Sequence, residues 1–199
     1  MNKKHALAAA ALCALVAAPA FAQKAGDGPW LVRARAVHLD SRNGDSTGLG
    51  LTVNNKWLPE VDISYFFTPN LAAELILTVP QKHTVYAGGT SIGSLKHLPP
   101  TLTVQYHFTG LGMAKPYVGA GLNYTRFSAV NLPAGVSIDK NSFGLAAQVG
   151  VDVPLGNGMV LNLDVKKAYI RTDVSAAGAV VGNFKVDPLL FGVGLGWRF

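Results

Sequence analysis

The first residues to weigh for chemistry are the histidines and a set of regularly spaced charges. His38, His83 and His97 could on paper share a metal ion, because neutral imidazole is a common ligand. Their spacing matches no compact ligand motif, so no metal site is expected. Serine and histidine both occur, yet no stretch sets a nucleophile beside a base and an orienting group. No catalytic residue, no enzyme activity and no cofactor is therefore expected. The charges are more informative. Arg33, Arg35, Asp62, Glu74, His107, Asp152, Asp164, Lys166 and Arg198 each sit in a stretch that alternates polar with apolar residues. A strand sends successive side chains to opposite faces, so these residues share one face of a sheet. Charges taken out of water need partners. The expectation is a paired polar network filling a narrow interior; an ion channel is the competing reading of the same residues.

Eight segments carry this alternation. The last, Leu189 to Phe199, is the clearest: Leu189, Phe191, Val193, Leu195, Trp197 and Phe199 on one face, and Leu190, Gly192, Gly194, Gly196 and Arg198 on the other. Bulk on one side and glycine on the other means that the bulk points outward and the narrow interior has no room for it. The others run at about Trp30 to Leu39, Glu60 to Phe67, Leu71 to Val79, Thr101 to Phe108, Pro116 to Arg126, Ser142 to Val153 and Met159 to Ile170. An even number of strands is what a bacterial single-chain membrane barrel requires.

The joints between segments alternate in length. Thr68-Pro69-Asn70, Thr109 to Lys115 and Pro154 to Gly158 are short. Asp40 to Pro59, Pro80 to Pro100, Phe127 to Asn141 and Arg171 to Asp187 are long. Outer-membrane barrels have short periplasmic turns and longer extracellular loops. The fold class expected is thus all-β, an eight-stranded antiparallel transmembrane barrel with both termini periplasmic.

Composition agrees. Charged residues make up 14% of the chain and mean hydropathy is +0.27, against roughly 25% charged in ordinary soluble domains. Beyond the leader, no run of 18 apolar residues offers a spanning helix. At the start, Lys3 and Lys4 precede an apolar run from Ala6 to Ala18 and the small-residue motif Ala20-Phe21-Ala22. That pattern is a signal peptide over residues 1–22, with the barrel occupying 23–199. The one cysteine, Cys13, leaves with it. Losing Lys3 and Lys4 lowers Lys plus Arg from 17 to 15 against 11 acids, a net +4 with no basic tract. Nucleic acid is not an expected partner.

Several stretches resemble the OmpW family of outer-membrane proteins. They are Thr52-Val53-Asn54-Asn55, Leu98-Pro99-Pro100-Thr101, Pro116 to Thr125 (PYVGAGLNYT), Gly144 to Asp152 (GLAAQVGVD), Asp187-Pro188 and the terminal Trp197-Arg198-Phe199. Phe143 departs from a pattern that often has tryptophan. The resemblance implies a monomeric barrel in the bacterial outer membrane that assists the passage of small hydrophobic molecules. A structural or adhesive barrel without transport is the alternative. Leu51, Trp57 and Leu98, apolar residues of the long loops, are the candidate intake surface for such a solute. Arg126 and Lys167 continue outward-facing parities toward the loop end and are candidate contacts for lipopolysaccharide phosphates. Membrane lipid and, through the C-terminal strand ending at Phe199, the barrel-assembly machinery complete the expected partners.

Overall fold

In the computed structural model, residues 28–199 are described; the expected leader, 1–22, lies outside them. Every regular element among the described residues is a strand. In chain order they are β1 (Trp30–Asp40), β2 (Gly44–Asp45), β3 (Leu51–Val53), β4 (Lys56–Phe66), β5 (Leu71–Thr78), β6 (Gln81–Ala87), β7 (Thr90–Leu98), β8 (Thr101–His107), β9 (Lys115–Asn131), β10 (Val136–Ile138), β11 (Asn141–Gly156), β12 (Met159–Ala168), β13 (Arg171–Ala176), β14 (Ala179–Lys185) and β15 (Leu189–Arg198).

Eight of them, β1, β4, β5, β8, β9, β11, β12 and β15, form an antiparallel barrel in chain order. It closes where β15 pairs with β1, from Leu31↔Arg198 to Asp40↔Leu189. Closure removes the two free edge strands of an open sheet, which is what a hydrocarbon surround demands. Short turns gather at one end. One of them, Gly156-Asn157-Gly158, has three consecutive positive φ angles. Glycine tolerates that backbone best, and at Gly158 a side chain would also press on the Arg198 carbonyl.

The two faces of the wall are unlike. Val61, Leu75, Leu102, Val104, Leu122, Leu145, Val149, Leu163, Val193 and Leu195 are all exposed on the outside. Trp30, Tyr65 and Phe67 form a chain of edge contacts at the turn end, and Tyr106 packs on Phe108 there as well. Toward the loop end, Tyr124 packs on Phe143 and His38 on Trp57. An apolar band between two aromatic girdles is the outer surface of a membrane barrel.

The long connections differ from the loops expected. β4 starts at Lys56 rather than Glu60, β9 runs on to Asn131, and Pro80 to Pro100 is mostly the hairpin β6–β7. A second small sheet, β10-β13-β14-β2, stands beside it. Together they form a loop layer with its own core, in which Leu51, Val53, Leu95, Phe127, Ile170 and Val174 are buried. The alternation in these segments is short and broken by glycine, so the sequence signal is weak.

Candidate functional site

Within the barrel, three cations meet five carboxylates. Arg33 pairs with Asp62 at 2.8 Å, Asp152 at 2.7 Å and Glu74 at 3.3 Å. Arg35 reaches Glu60 at 3.0 Å, Glu74 at 3.1 Å and Asp62 at 3.2 Å. Lys166 binds Glu60 at 2.6 Å and Asp164 at 2.8 Å. Neutral groups add to the shell. Glu74 accepts bonds from Thr103, Gln105 and Gln148, and Asp164 accepts one from the Tyr117 hydroxyl at 2.8 Å. His107 stacks on Tyr117 and bonds to Gln105. Register explains the convergence: Arg33 stands opposite Asp62, Arg35 opposite Glu60 and Ser64 opposite Glu74. Eight strands leave an interior just wide enough for side chains, and these fill it. Arg198 lies apart at the turn end, its guanidinium over the Phe66 ring at 3.9 Å and its Nε donating to the Gly28 carbonyl.

Glu60, Tyr117, Gln105, Gln148 and Asn162 belong to this knot but are absent from the residues picked out by charge and spacing. Tyr117 sits opposite Gly150, where its ring takes the place of a side chain, a match that only the β9–β11 register discloses.

The knot separates two spaces. On the turn side is a vestibule of about 300 Å³ reached past Leu31, Phe66, His107, Lys115 and Arg198. On the loop side is a cavity of about 40 Å³, walled by Leu39, Leu58, Ile76, Ala146, Ile170 and Leu190, with Glu60 and Lys166 among its polar lining. His97 lines it as well. His97 and His83 lie ring to ring, centroids 4.6 Å apart, in the β6–β7 hairpin. Burial, with His83 beside it, pushes the His97 imidazole down to about 3; burial also lowers His83. His38 stands on the outer wall against Trp57, so the three histidines do not converge.

The barrel wall is interrupted beside this cavity. The β5–β8 ladder runs from Leu71↔Tyr106 to Ile76↔Thr101 and stops. Pairing resumes at Gln81↔His97 in the loop hairpin. Between them face Leu77, Thr78, Val79 and Pro80 on one side and Leu98, Pro99 and Pro100 on the other. Proline has no N–H to give, so continuing the ladder there is costly. Thr78 and Pro99 both line the cavity.

The remaining residues singled out earlier are spread. Leu51 is buried in the loop core, Trp57 is 63% exposed on the outer wall, and Leu98 stands at the wall break opposite Arg126. The structure does not bring these three together. Arg126 is exposed on the outer face. Lys167 donates to the Asp187 carbonyl and lies 5.8 Å from the Tyr169 ring centre.

A closed eight-stranded barrel with an apolar, aromatic-girdled exterior and a charged, filled interior is an outer-membrane barrel. A family model for the OmpW family matches residues 24–199, and the chain belongs to that family. Outer membrane protein W of Vibrio cholerae is 35% identical over 96% of each chain. The dibenzothiophene metabolism operon protein PahQ of Pseudomonas aeruginosa is 30% identical over 69% of each. Among solved structures, OprG of Pseudomonas aeruginosa superposes with a TM-score of 0.75 at 26% identity, covering 87% of this chain and 97% of that one. The protein is a bacterial outer-membrane protein.

Proposed function

We propose that the barrel takes small apolar molecules in at its loop end, which faces outward, and releases them sideways through the wall break, the termini lying on the periplasmic side. The wall break carries the proposal: an apolar-walled cavity meets an unpaired stretch of wall directly above a charged knot that blocks straight passage. An apolar solute gains from leaving water for such walls and gains nothing from ion-paired side chains below them. A relative named for dibenzothiophene metabolism supports an apolar aromatic solute. In this reading Leu98 flanks the exit, Trp57 borders it on the outer wall, and Leu51 shapes the loop core above. Arg126 anchors the loop end to lipopolysaccharide phosphates, with Lys167 holding the Asp187 turn beside it. Phe199 ends the strand presented to the assembly machinery.

The test is uptake of an apolar aromatic probe by cells that depend on this protein. Replacing Pro99 and Pro100 with alanine supplies the missing N–H donors and should lower uptake severalfold while the barrel still folds. Aspartate at Leu39 or Ile76 should do the same. Aspartate at Leu51, Trp57 and Leu98 tests the intake surface separately. Unchanged uptake after deletion of the whole protein refutes transport and leaves a structural or adhesive barrel.

A further inference from the structure

The polar side chains around the loop-end cavity are accounted for with one exception. Glu60 accepts from Arg35 and Lys166. Thr78 donates to the Pro59 carbonyl and Thr101 to that of Pro99. Asn123 donates to the Thr101 hydroxyl, and Lys167 to the Asp187 carbonyl. His97 is 1% exposed, and its Nε2 has no hydrogen-bond partner among the described residues. Buried polar atoms are almost always paired, so an orphan on a cavity wall calls for an explanation.

The His97 ring is held from two sides. His83 lies against it and Phe127 meets it edge-on, ring centres 6.4 Å apart. His83 is itself fixed, because its Nδ1 faces the Asn54 carbonyl at 3.0 Å and must donate there. With its pKa near 3, His97 is neutral at any ordinary pH. A neutral imidazole nitrogen is either a donor or an acceptor, according to the tautomer. A hydroxyl can answer both, a carbonyl only one, and a hydrocarbon neither.

We propose that His97 Nε2 recognises the hydroxyl group of a small, otherwise apolar solute, such as a phenol or a terpenoid alcohol. This rests on the transport reading and sharpens it from apolar solutes in general to mono-hydroxylated ones. The cavity of about 40 Å³ holds the hydroxyl and the first carbons. The rest of the solute is accommodated by rotamer changes of Leu39, Leu58 and Ile76. One hydrogen bond between neutral groups selects without trapping, which a solute in transit needs.

The paired probes are 4-ethylphenol and ethylbenzene, which differ by the hydroxyl alone. The barrel, in phosphatidylcholine nanodiscs with ring-¹⁵N histidine and methyl-labelled Leu and Ile, is titrated with each. The Leu39, Leu58 and Ile76 methyls should respond to both, with 4-ethylphenol binding about 3- to 10-fold more tightly. Only 4-ethylphenol should move the His97 Nε2 resonance. His97→Phe keeps a ring between His83 and Phe127 and should bring the affinity ratio to about one, its folding checked by heat-modifiable migration. Equal affinities in the wild type, or a ratio that survives His97→Phe, overturn the histidine's role while leaving apolar binding intact. If neither probe moves the cavity methyls, the transport reading falls and this proposal falls with it.

Discussion

At mid-barrel, Arg33, Arg35 and Lys166 are locked among Glu60, Asp62, Glu74, Asp152 and Asp164 by directional bonds from 2.6 to 3.3 Å. At the loop end, Leu51, Val53, Leu95 and Phe127 exclude water without a comparable set of bonds. Both regions are closed, and they would open at different cost. Parting the knot strands several charges in a space without water. Parting the loop core separates apolar surfaces that regain contact with any apolar guest. The difference teaches which region resists opening: the lower one holds the strands together, and the upper one can yield.

The largest effect should come from breaking the knot. Glu74 faces both guanidiniums and accepts from Thr103, Gln105 and Gln148. Glu74→Leu takes one carboxylate from each guanidinium and leaves the Thr103, Gln105 and Gln148 donors without that acceptor, and breaking a buried ion network in this way costs about 3–5 kcal/mol. Urea unfolding from lipid vesicles should show that loss across the whole barrel. A Glu74→Leu barrel as stable as the wild type would mean that the knot is not what holds the strands.

Leu95→Ala probes the other region. It is 2% exposed within the loop core, and such truncations cost about 2–5 kcal/mol. The cost should be local. Amide exchange should accelerate in β6, β7 and β3 and stay at wild-type rates in β1 and β4. Uniform acceleration would merge the two regions into one cooperative unit.

Gly196→Ala is a milder test of how full the knot is. A Cβ there would lie 2.8 Å from Arg33 Cγ and 3.0 Å from Val160 Cγ2. Overpacking of this kind costs about 1–3 kcal/mol. A neutral outcome in the same urea assay would show slack around Arg33.

The contrast also marks what the sequence could reveal. The wall was legible because its period of two runs for many residues, as in Leu189 to Phe199, and because an outside apolar face with an inside glycine face has one physical meaning. Arg33, Asp62 and Glu74 were legible as inward charges for the same reason. Their partners depend on register across strands far apart in sequence: Asp152 meets Arg33 over 119 positions. Neutral members such as Gln148 and Tyr117 carry no charge to flag them. The loop layer was hidden because β2, β3 and β10 are two or three residues long, too short for periodicity to register. Leu98-Pro99-Pro100 was visible as a motif, but its role as a break in the wall needed the pairing of its neighbours.

The smallest effect separates the two regions by pH. His97 lies in the loop hairpin, with its pKa depressed from 6.5 to about 3 by burial, then by His83 and Lys56. Glu60, Lys166 and Lys167 line the cavity it faces. Because the folded state holds the imidazole neutral, unfolding of the hairpin takes up a proton below the unfolded value. The stabilisation is therefore fully present above about pH 6.5 and declines as the pH falls toward 3. His83, also lowered, acts in the same direction. Amide exchange in β6 and β7, corrected for its intrinsic pH dependence, should show protection falling across that window. His97→Leu keeps the His83 bond to Asn54 and should flatten most of the decline, and the double variant with His83→Leu should flatten the rest. If the wild type and both variants lose protection over the same range, the pH response lies elsewhere. The loop layer would then have no acid sensitivity from its buried histidines, and the charged knot would be the place to seek its source.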